Sequence, residues 1–528
     1  MGGVSLSKSF KMRALLTIIL LAGICLNHIS AQVSIEWQRT LGGSLYDEVQ
    51  DVISVADGNY LVLGVTASSN YDILGYHGGY DIFVAKFGPA GNTIWKKTFG
   101  GTDVETPGTI LSTEDGGCIV AGITRSDNYD VVGFHGGLSD GWMFKLNSSG
   151  NMEWQKVFGG IGMEELNCMI ATSDGGYLLT GASTIPDGDV TENLGGLDFW
   201  VIKTDDKGEI VWQHSYGGSN EDIAYHASET SDGGYIVVGN TFSNDGYVTN
   251  NKGNVDIWVM KINADGIFEW GTALGGEYAE LGRFVHETEG GYIAGGLTGT
   301  KNSGDVVGGH GLYDMWVVKI DLSGNLVWQL PIGGTELDKT SQMELLADGS
   351  CILIGETRSN DGDFSNNDGG ADFALVKISP DGELVWQQTF GGTKPDSGYA
   401  IERTPDNGYI IGGHTWSTNG DLEGFTNRGK SDFWILKLSP ETTNATLDTK
   451  TEPVLLYPNP TADVVNLSVP EPFSELQIMI TDASGITVLQ KDVINGGAVS
   501  LAGLPAGIYT FHARMPDGRV RTGRLAKY

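Results

Sequence analysis

Apolar and polar residues alternate along most of the chain in short runs that have the length of β-strands. Asp47–Val55, Tyr60–Thr66 and Asp81–Phe87 are rich in β-branched and aromatic residues, and a fourth such run spans Asn92–Phe99. The Gly, Asp and Asn clusters between these runs are typical of turns, since those residues accept positive φ angles. Because no long amphipathic helix interrupts the pattern, it predicts an all-β protein.

The four-strand unit is repeated seven times. Each copy carries a tryptophan, a Gly-Gly pair five residues later and a carboxylate four residues after that pair, and successive tryptophans are 58 or 59 residues apart. The tryptophans are Trp37, Trp95, Trp154, Trp212, Trp270, Trp328 and Trp386. An acidic turn of the Asp-Gly-Gly-Tyr type and an Asp-x-aromatic-x-x-Lys segment recur in the same phase. A strict repeat of four short strands at this period predicts a seven-bladed β-propeller.

The two ends of the repeat indicate how the ring closes. The first tryptophan strand, 33–41, has no lysine strand before it, and the seventh lysine strand, 432–438, has no tryptophan strand after it. If the tryptophan strand is the outermost strand of each blade, the N-terminal strand completes blade seven and each tryptophan packs between adjacent blades. We therefore expect a propeller over residues 32–440 that is closed by its own N-terminal strand.

Two recurrent segments resemble turns of known propellers. Lys319–Trp328 resembles the tryptophan-docking turn of quinoprotein-type propellers, and Ser379–Trp386 resembles a sialidase Asp box with its glycine one place early. Both motifs are structural in their own families. The repeat as a whole is similar to the seven-bladed propeller repeats common in surface proteins of Bacteroidetes, which implies a secreted or cell-surface protein.

The first 31 residues have the organisation of a secretory signal peptide. Lys8, Lys11 and Arg13 precede the apolar run Ala14–Cys25, and Ile29-Ser-Ala31 offers small residues for cleavage. The run is short for a membrane anchor, and no second stretch of 18 or more apolar residues follows. The mature protein is therefore predicted to have no membrane span.

The chain is strongly acidic. Its formal net charge is −34, and loss of the three basic residues of the leader leaves 29 basic against 66 acidic residues, a charge of −37. Phosphate binding needs a basic face, so nucleic acid is not expected as a partner.

The repeat ends after Lys437, and the composition then changes. Residues 441–452 are polar and without periodicity, which predicts a linker. Residues 453–528 alternate in short strands with turn signals and have a basic end, which predicts a small β-sandwich.

Three motifs in this tail carry a specific resemblance. Leu456-Tyr-Pro-Asn-Pro-Thr461, Ile480-Thr-Asp-Ala-Ser-Gly485 and Leu504-Pro-Ala-Gly-Ile-Tyr509 resemble the type A C-terminal sorting domain of the type IX secretion system. The resemblance implies contact with that export machinery and passage across the outer membrane to the cell surface or the medium. It also implies removal of the domain, followed by release or attachment to surface lipopolysaccharide. The alternative is an Ig-like module that stays attached as a spacer.

Acidic residues recur on the predicted loop face, where the connections between the second and third strands of the blades lie. Asp187-Gly-Asp189 and Asp361-Gly-Asp363 supply oxygens of the kind that Ca²⁺ prefers, although neither has the spacing of an EF-hand loop. Asp and Asn also cap their own turns, so self-capping is the alternative. Calcium is thus a possible cofactor of these four aspartates.

The carboxylate after each Gly-Gly pair could likewise serve either as a cation ligand or as a structural hydrogen-bond acceptor. The seven are Asp47, Glu105, Glu164, Asp222, Glu280, Asp338 and Asp396. They either converge on the channel as a cation site or hydrogen-bond the backbone of a neighbouring blade, and their presence in every blade favours the packing role. The seven repeated lysines are expected to pair with the Asp-Gly-Gly turns at the opposite face.

Ligand binding is expected where the blades differ. Tyr247, Phe364, Trp416 and Phe425 are interpreted as non-repeating aromatics of the long loops, suited to sugar stacking or protein contact. No nucleophile elbow, Walker loop or HExxH motif occurs, and the arginines of the propeller form no repeated cluster. The sequence therefore favours a non-catalytic binding or structural module for glycan or protein; the alternative is a propeller enzyme acting on extracellular carbohydrate.

Overall fold

The structure is a computed structural model that describes residues 33–441 as one continuous stretch. In the C-terminal segment it describes residues 455–457, 461, 463–468, 476–481, 487–493, 498–514 and 520–527. The predicted signal peptide 1–31 and all but the first residue of the predicted linker 441–452 lie outside the described residues.

Residues 33–441 form seven four-stranded antiparallel sheets. The strands of blades one to four are β2 Asp47–Ser54, β3 Tyr60–Thr66, β4 Asp81–Phe87 and β5 Thr93–Phe99; β6 Glu105–Ser112, β7 Cys118–Thr124, β8 Asp140–Leu146 and β9 Met152–Phe158; β10 Glu164–Ala171, β11 Tyr177–Ser183, β12 Asp198–Thr204 and β13 Ile210–Tyr216; β14 Asp222–Glu229, β15 Tyr235–Thr241, β16 Asp256–Ile262 and β17 Phe268–Leu274. Those of blades five to seven are β18 Glu280–Thr288, β19 Gly291–Thr298, β22 Asp314–Asp321 and β23 Leu326–Ile332; β24 Asp338–Leu345, β25 Cys351–Thr357, β26 Asp372–Ile378 and β27 Leu384–Phe390; β28 Asp396–Arg403, β29 Tyr409–Thr415, β30 Asp432–Leu438 and β1 Ile35–Leu41. A small hairpin, β20 Asn302–Ser303 with β21 Val306–Val307, decorates blade five, and one 3-10 turn, Gly420–Leu422, lies in blade seven.

The first strand of each sheet is the inner strand of a closed ring. Each inner strand contacts the inner strands of the two neighbouring blades, and β28 of blade seven contacts β2 of blade one. The second and third strands of every blade are almost fully buried, because the apolar faces of adjacent sheets pack on each other. The predicted seven-bladed propeller is therefore confirmed.

The N-terminal strand closes the ring as predicted. β1 pairs antiparallel with β30, with Trp37 opposite Lys437, and becomes the outermost strand of blade seven. The Ser439 N–H donates to the Ser34 carbonyl at 2.8 Å, so the two ends of the propeller lie side by side.

The tryptophans dock onto the neighbouring blade. The Trp37 indole N–H donates to the Pro89 carbonyl at 2.9 Å, and the Trp95 indole N–H donates to the Ser148 carbonyl at 3.0 Å. Gly91 lies beneath the Trp37 ring with φ of 73°, and a Cβ there would stand 2.7 Å from the ring. The repeated glycine of this turn is thus required both by its backbone conformation and by the close approach of the tryptophan.

Six of the seven repeated lysines bind the Asp-Gly-Gly turn region, as predicted. Lys86 pairs with Asp57 at 2.8 Å, and Lys319, whose turn begins with Glu289, donates to the Glu289 carbonyl at 2.9 Å. The lysines that pair with a turn aspartate are Lys86, Lys145, Lys203, Lys261 and Lys437.

The prediction is wrong for Lys377. Its ammonium binds the Glu441 carboxylate at 2.8 Å, and Glu441 also accepts hydrogen bonds from the Tyr409 hydroxyl at 2.9 Å and the Trp386 indole N–H at 3.4 Å. Blade seven takes its outer strand from the N-terminus, so no docking turn follows β30. Glu441 occupies that place and ties the departing chain to blades six and seven.

The described C-terminal strands form two antiparallel sheets. β31 Leu455–Tyr457, β32 Val464–Ser468 and β35 Ala498–Ser500 form one sheet, and β34 Thr487–Val493, β33 Leu476–Thr481, β36 Gly507–Arg514 and β37 Val520–Lys527 form the other. Val465 and Val499 of the first sheet share a core with Ile478, Phe511 and Leu525 of the second. Among the described residues, no helix has the length and apolar content that a membrane-spanning helix requires.

Candidate functional site in the central channel

Every inner strand carries a β-bulge at the same place, one residue past its third position. A bulge leaves one residue unpaired and re-aims its side chain. The seven bulged residues line a cavity of 580 Å³ at the centre of the ring: Gln50, Gly108, Asn167, Tyr225, Arg283, Ser341 and Tyr399. In a chain whose blades otherwise repeat closely, this position holds six different residue types.

In five blades the residue after the bulge also lines the channel, whereas Phe284 and Ala400 at this position pack in the core. Asp51 accepts a hydrogen bond from the Ile110 N–H of the next blade at 3.1 Å, and Gln342 accepts from the Ile401 N–H at 2.6 Å. The His226 Nδ1 accepts in the same way from the Val285 N–H at 3.3 Å. These three side chains join neighbouring inner strands as well as lining the channel, so they belong to the scaffold that holds the bulged residues in place.

Arg283 is the basic residue of this lining. Its guanidinium lies 4.3 Å from the centre of the Tyr225 ring, and its Nη1 donates to the Gly282 carbonyl at 3.2 Å. An arginine carries five N–H donors, so these contacts orient the group and leave most of its donors to the cavity. Beside it, the rings of His226 and His286 lie 5.0 Å apart. Desolvation lowers the pKa of His226 to about 3 and that of His286 to about 4, so both imidazoles are neutral at physiological pH.

Three carboxyl groups also line the channel, on blades one, six and seven. Desolvation, followed by the nearby Glu402 charge, raises the pKa of Asp51 to about 7 and the pKa of Glu344 to about 7. Burial also raises the pKa of Glu402, whose Oε1 accepts a hydrogen bond from the Ser54 hydroxyl at 2.5 Å. The lining of the channel therefore combines carboxyl groups that are partly protonated near neutral pH with the Arg283 guanidinium.

The loop aromatics predicted as ligand-binding residues are not brought together. Phe364 is 2% exposed and packs in the core beneath its loop, at the place where the other blades have Ile73, Val131, Val190, Val248, Val306 and Leu422, so its prediction as an exposed aromatic is wrong. Phe425 is half-buried against the blade-seven core. Trp416 is half-buried, with its ring 6.5 Å from that of Tyr46. Tyr247 is the most exposed of the four, at 38%, and leans on Phe268 at 4.9 Å between ring centres.

The four aspartates predicted as calcium ligands bind the backbone. Asp187 accepts from the Ile161 N–H at 3.1 Å, Asp361 accepts from the Thr335 N–H at 2.8 Å, and Asp189 and Asp363 accept from the Gly159 and Gly333 N–H groups at 3.1 and 3.0 Å. In blade one, Asn70 accepts the equivalent hydrogen bond from the Ser44 N–H at 2.9 Å. Because a neutral amide accepts the same backbone hydrogen bond, this position favours turn capping over metal binding. Within the described ranges, no three His, Cys, Asp or Glu side chains are grouped in a way that would hold a metal ion.

The carboxylates after the Gly-Gly pairs form buried pairs at the blade junctions. Each accepts a hydrogen bond from the second glycine of its pair, as Asp396 does from the Gly392 N–H at 2.9 Å. Each also lies near the first aspartate of the preceding blade's third strand, as Asp396 lies near Asp372. Desolvation raises the pKa of these third-strand aspartates to about 6 at Asp81, Asp198, Asp256, Asp372 and Asp432.

We expect the propeller to be more stable in mild acid than in mild base. A carboxyl whose folded pKa lies above its unfolded value contributes stability that is complete below the unfolded pKa and is lost as the pH rises through the folded pKa, here between about 4 and 6. The melting temperature should fall by something on the order of 5–10 °C between pH 5 and pH 8. Asp372→Asn keeps an oxygen for the Asp368 N–H and removes one charge of a pair, so it should raise the melting temperature at pH 8. A melting temperature that increases from pH 5 to pH 8 would contradict this reading.

Sequence reasoning placed the site in the loops and missed the channel. The signal was present in the sequence: three residues after each Gly-Gly carboxylate, the repeat changes residue type in almost every copy. The direction of this variable residue cannot be read from the sequence, because the regular alternation of side chains along a strand does not reveal that a β-bulge turns it towards the channel.

Comparison with known proteins places the tail in a family. Residues 455–522 match the family model described as secretion system C-terminal sorting domain. Comparison with curated protein sequences found no similar protein.

Solved structures align with the chain at low similarity. The WD40 domain of Neurospora crassa Pan2 shares 11% identity at a TM-score of 0.39, with coverage of 75% of this chain and 97% of that domain. The NanB sialidase of Streptococcus pneumoniae shares 10% identity at a TM-score of 0.37, covering 77% of this chain and 70% of the sialidase. A DUF4221 family member from Bacteroides vulgatus shares 10% identity at a TM-score of 0.33, covering 77% of this chain and 98% of that protein. At these values the alignments carry no information about ligand or activity.

The tail match confirms the type IX sorting domain predicted from the three tail motifs. Such a domain directs its protein to the type IX export machinery, which confirms the predicted destination outside the cell. The chain is thus a seven-bladed β-propeller that ends in a secretion system C-terminal sorting domain and is exported to the cell surface or the extracellular space.

Proposed function

We propose that the exported propeller is a non-catalytic binding module that takes the end of a glycan into its central channel. The observation that carries the proposal is the set of bulged residues, which vary from blade to blade where the scaffold repeats. Amide, hydroxyl, phenol and guanidinium groups are the side chains that recognise a polyol, since they donate and accept hydrogen bonds in fixed directions.

The size and polarity of the cavity support a small polar ligand. Its volume of 580 Å³ falls within the range of about 300–1,000 Å³ typical of small-molecule sites. Tyr225 and Tyr399 offer aromatic surface for stacking, and Arg283 on blade five offers N–H donors. The Asn167 amide on blade three donates one hydrogen bond to the Ala224 carbonyl at 2.9 Å and has a second N–H. A protein ligand would have to insert a chain end or a side chain to reach the same groups.

Binding is tested by replacing the oriented cation. Arg283→Ala in the mature propeller should lower affinity for the recognised glycan at least tenfold, because a charge-assisted hydrogen bond contributes roughly 1.5–3 kcal/mol. The measurement is a glycan array followed by titration of each hit, with Arg125→Ala, an exposed arginine outside the channel lining, as the matched control. Equal binding by both variants would place the ligand elsewhere, and an array without hits together with capture of peptides would favour a protein ligand.

One observation favours the second candidate, an enzyme acting on carbohydrate. Asp51 and Glu344, with pKa values near 7, have the protonation behaviour of general acids at neutral pH. Against catalysis, Asp51 already accepts the Ile110 N–H of the next blade. Turnover of an array hit that is lost in Glu344→Gln would favour the enzyme, whereas binding without turnover supports the module.

A further inference from the structure

One turn of the loop face differs between the blades in a way that the fold does not require. The turn residue after the second strand is glycine in five blades, with φ between 58° and 65°: Gly188, Gly246, Gly304, Gly362 and Gly420. Blades one and two have Tyr71 and Tyr129 there, at φ of 56° and 55°. The left-handed region costs a bulky L-residue on the order of 1–2 kcal/mol relative to glycine. Tyr71 and Tyr129 therefore adopt a strained backbone conformation that glycine, the residue of the other five blades, adopts without strain.

The strained tyrosines do not stabilise the core. Tyr71 is 68% exposed and Tyr129 is 67% exposed, among the most exposed large side chains of the propeller. Three residues beyond them, Leu74 and Val132 are 70% and 69% exposed, so each turn presents an aromatic and an aliphatic group to solvent. Burial thus gives no reason for the departure from glycine, and the exposed rings point to a ligand.

A neighbouring blade orients one of the rings. The imidazole of His77, in blade one, lies 4.7 Å from the Tyr129 ring of blade two, and its Nδ1 is held 3.2 Å from Asp81. The blade-one loop that carries Tyr71 therefore contacts the Tyr129 turn across the blade junction through His77. One face of Tyr129 leans on His77, and the exposed remainder of the ring is available.

The surroundings of the rings fit a sugar. Asn70 and Asn128 precede the two tyrosines, and both are exposed, with side-chain amides that bond Ser44 and Thr102 at 3.1 and 2.9 Å. Aromatic faces next to exposed amides match a pyranose, which has an apolar C–H face and hydroxyls around its edge. The net charge of −34 disfavours a polyanionic glycan, so the complementary ligand is neutral.

We propose that Tyr71 and Tyr129 form a stacking platform for a neutral polysaccharide, separate from the central channel. Two rings on adjacent blades contact two parts of one polymer, so each ring adds to the affinity of the other. The strain of the left-handed tyrosines is then the cost of holding both rings out from the loop face.

The test is affinity electrophoresis of the mature propeller in gels containing laminarin, mannan or starch. The wild type should be retarded by at least one of these neutral polymers, and Tyr71→Gly with Tyr129→Gly should weaken the retardation at least tenfold. Because glycine is the residue of the other five blades, the double variant should fold with an unchanged or higher melting temperature. Tyr278→Ala, which removes an exposed tyrosine of the same face outside this turn, is the matched control and should migrate as the wild type.

Three results would overturn the platform. These are a wild type that no gel retards, a double variant retarded as strongly as the wild type, and a double variant that loses only concentration-dependent self-association, which would indicate a second copy as the partner. Arg283→Ala should keep the full retardation, so failure of the channel proposal and failure of the platform are distinguishable.

Discussion

Deleting residues 33–41 should lower the melting temperature of the propeller by about 10 °C or more, or prevent its folding. This segment contains β1, the outermost strand of blade seven, and its loss uncovers the edge of β30, a strand buried along its whole length. It also removes Trp37 from its docking turn and Gln38 from the Trp434 indole N–H, which donates to the Gln38 Oε1 at 2.8 Å. Thermal unfolding followed by circular dichroism measures the effect.

A chain that begins at Gln32 is the matched control, because it lacks only the predicted leader and keeps the whole strand. The melting temperature of Trp37→Ala should lie between those of the deletion and the control, since truncating one large packed aromatic side chain costs about 3–5 kcal/mol. If the chain lacking 33–41 melts at the temperature of the control, the N-terminal strand does not hold the ring closed.

The propeller could be predicted from the sequence because its determinants repeat. The tryptophan, the Gly-Gly pair and the lysine recur in fixed phase, and each makes the same contact in nearly every blade. The unpaired first and last strands then determine how the ring closes. Repetition averages out the ambiguity that a single short strand would have.

The site could be predicted less well, because it depends on departures from the repeat. The sequence predicts Phe364 as a ligand-binding aromatic, yet it fills the buried place that Ile73 and Val131 fill in other blades. The sequence distinguishes the aromatic Phe364 from the aliphatic residues of the other blades, but all of them fill the same buried position under the loop. Tyr71 and Tyr129 show the opposite case: the repeat places them where five blades have glycine, and only the backbone angle shows that they keep the left-handed conformation of that glycine.

Lys377 shows a third kind of limit. Its partner Glu441 is outside the repeat, in the segment predicted as a linker. No pattern within the blades could indicate it, because the pairing arises only once the ring has closed and the docking turn of blade seven is found to be replaced by the departing chain.

Ending the chain at Glu441 should leave a folded propeller that is not exported. The deletion removes 442–528, including residues 455–522, which match the sorting domain, and keeps the contacts of Glu441 with Lys377 and Tyr409. The amount of propeller at the cell surface and in the medium should fall at least tenfold. Its melting temperature should match that of the full-length chain's propeller, because the ring and its closing strand are intact.

The full-length Arg283→Ala variant is the matched control for export. It changes the channel and keeps the sorting domain, so it should reach the surface in the same amount as the wild type. A comparable loss of export in this control would indicate that export depends on the channel as well as on the tail.

Detection of the propeller on intact cells by an antibody tests the central claim most directly. The full-length chain should be detected at the surface or in the medium, and the chain ending at Glu441 should be detected only after the outer membrane is opened. Surface detection of the truncated chain at the level of the full-length chain would contradict the assignment of residues 455–522 as the export address of this propeller.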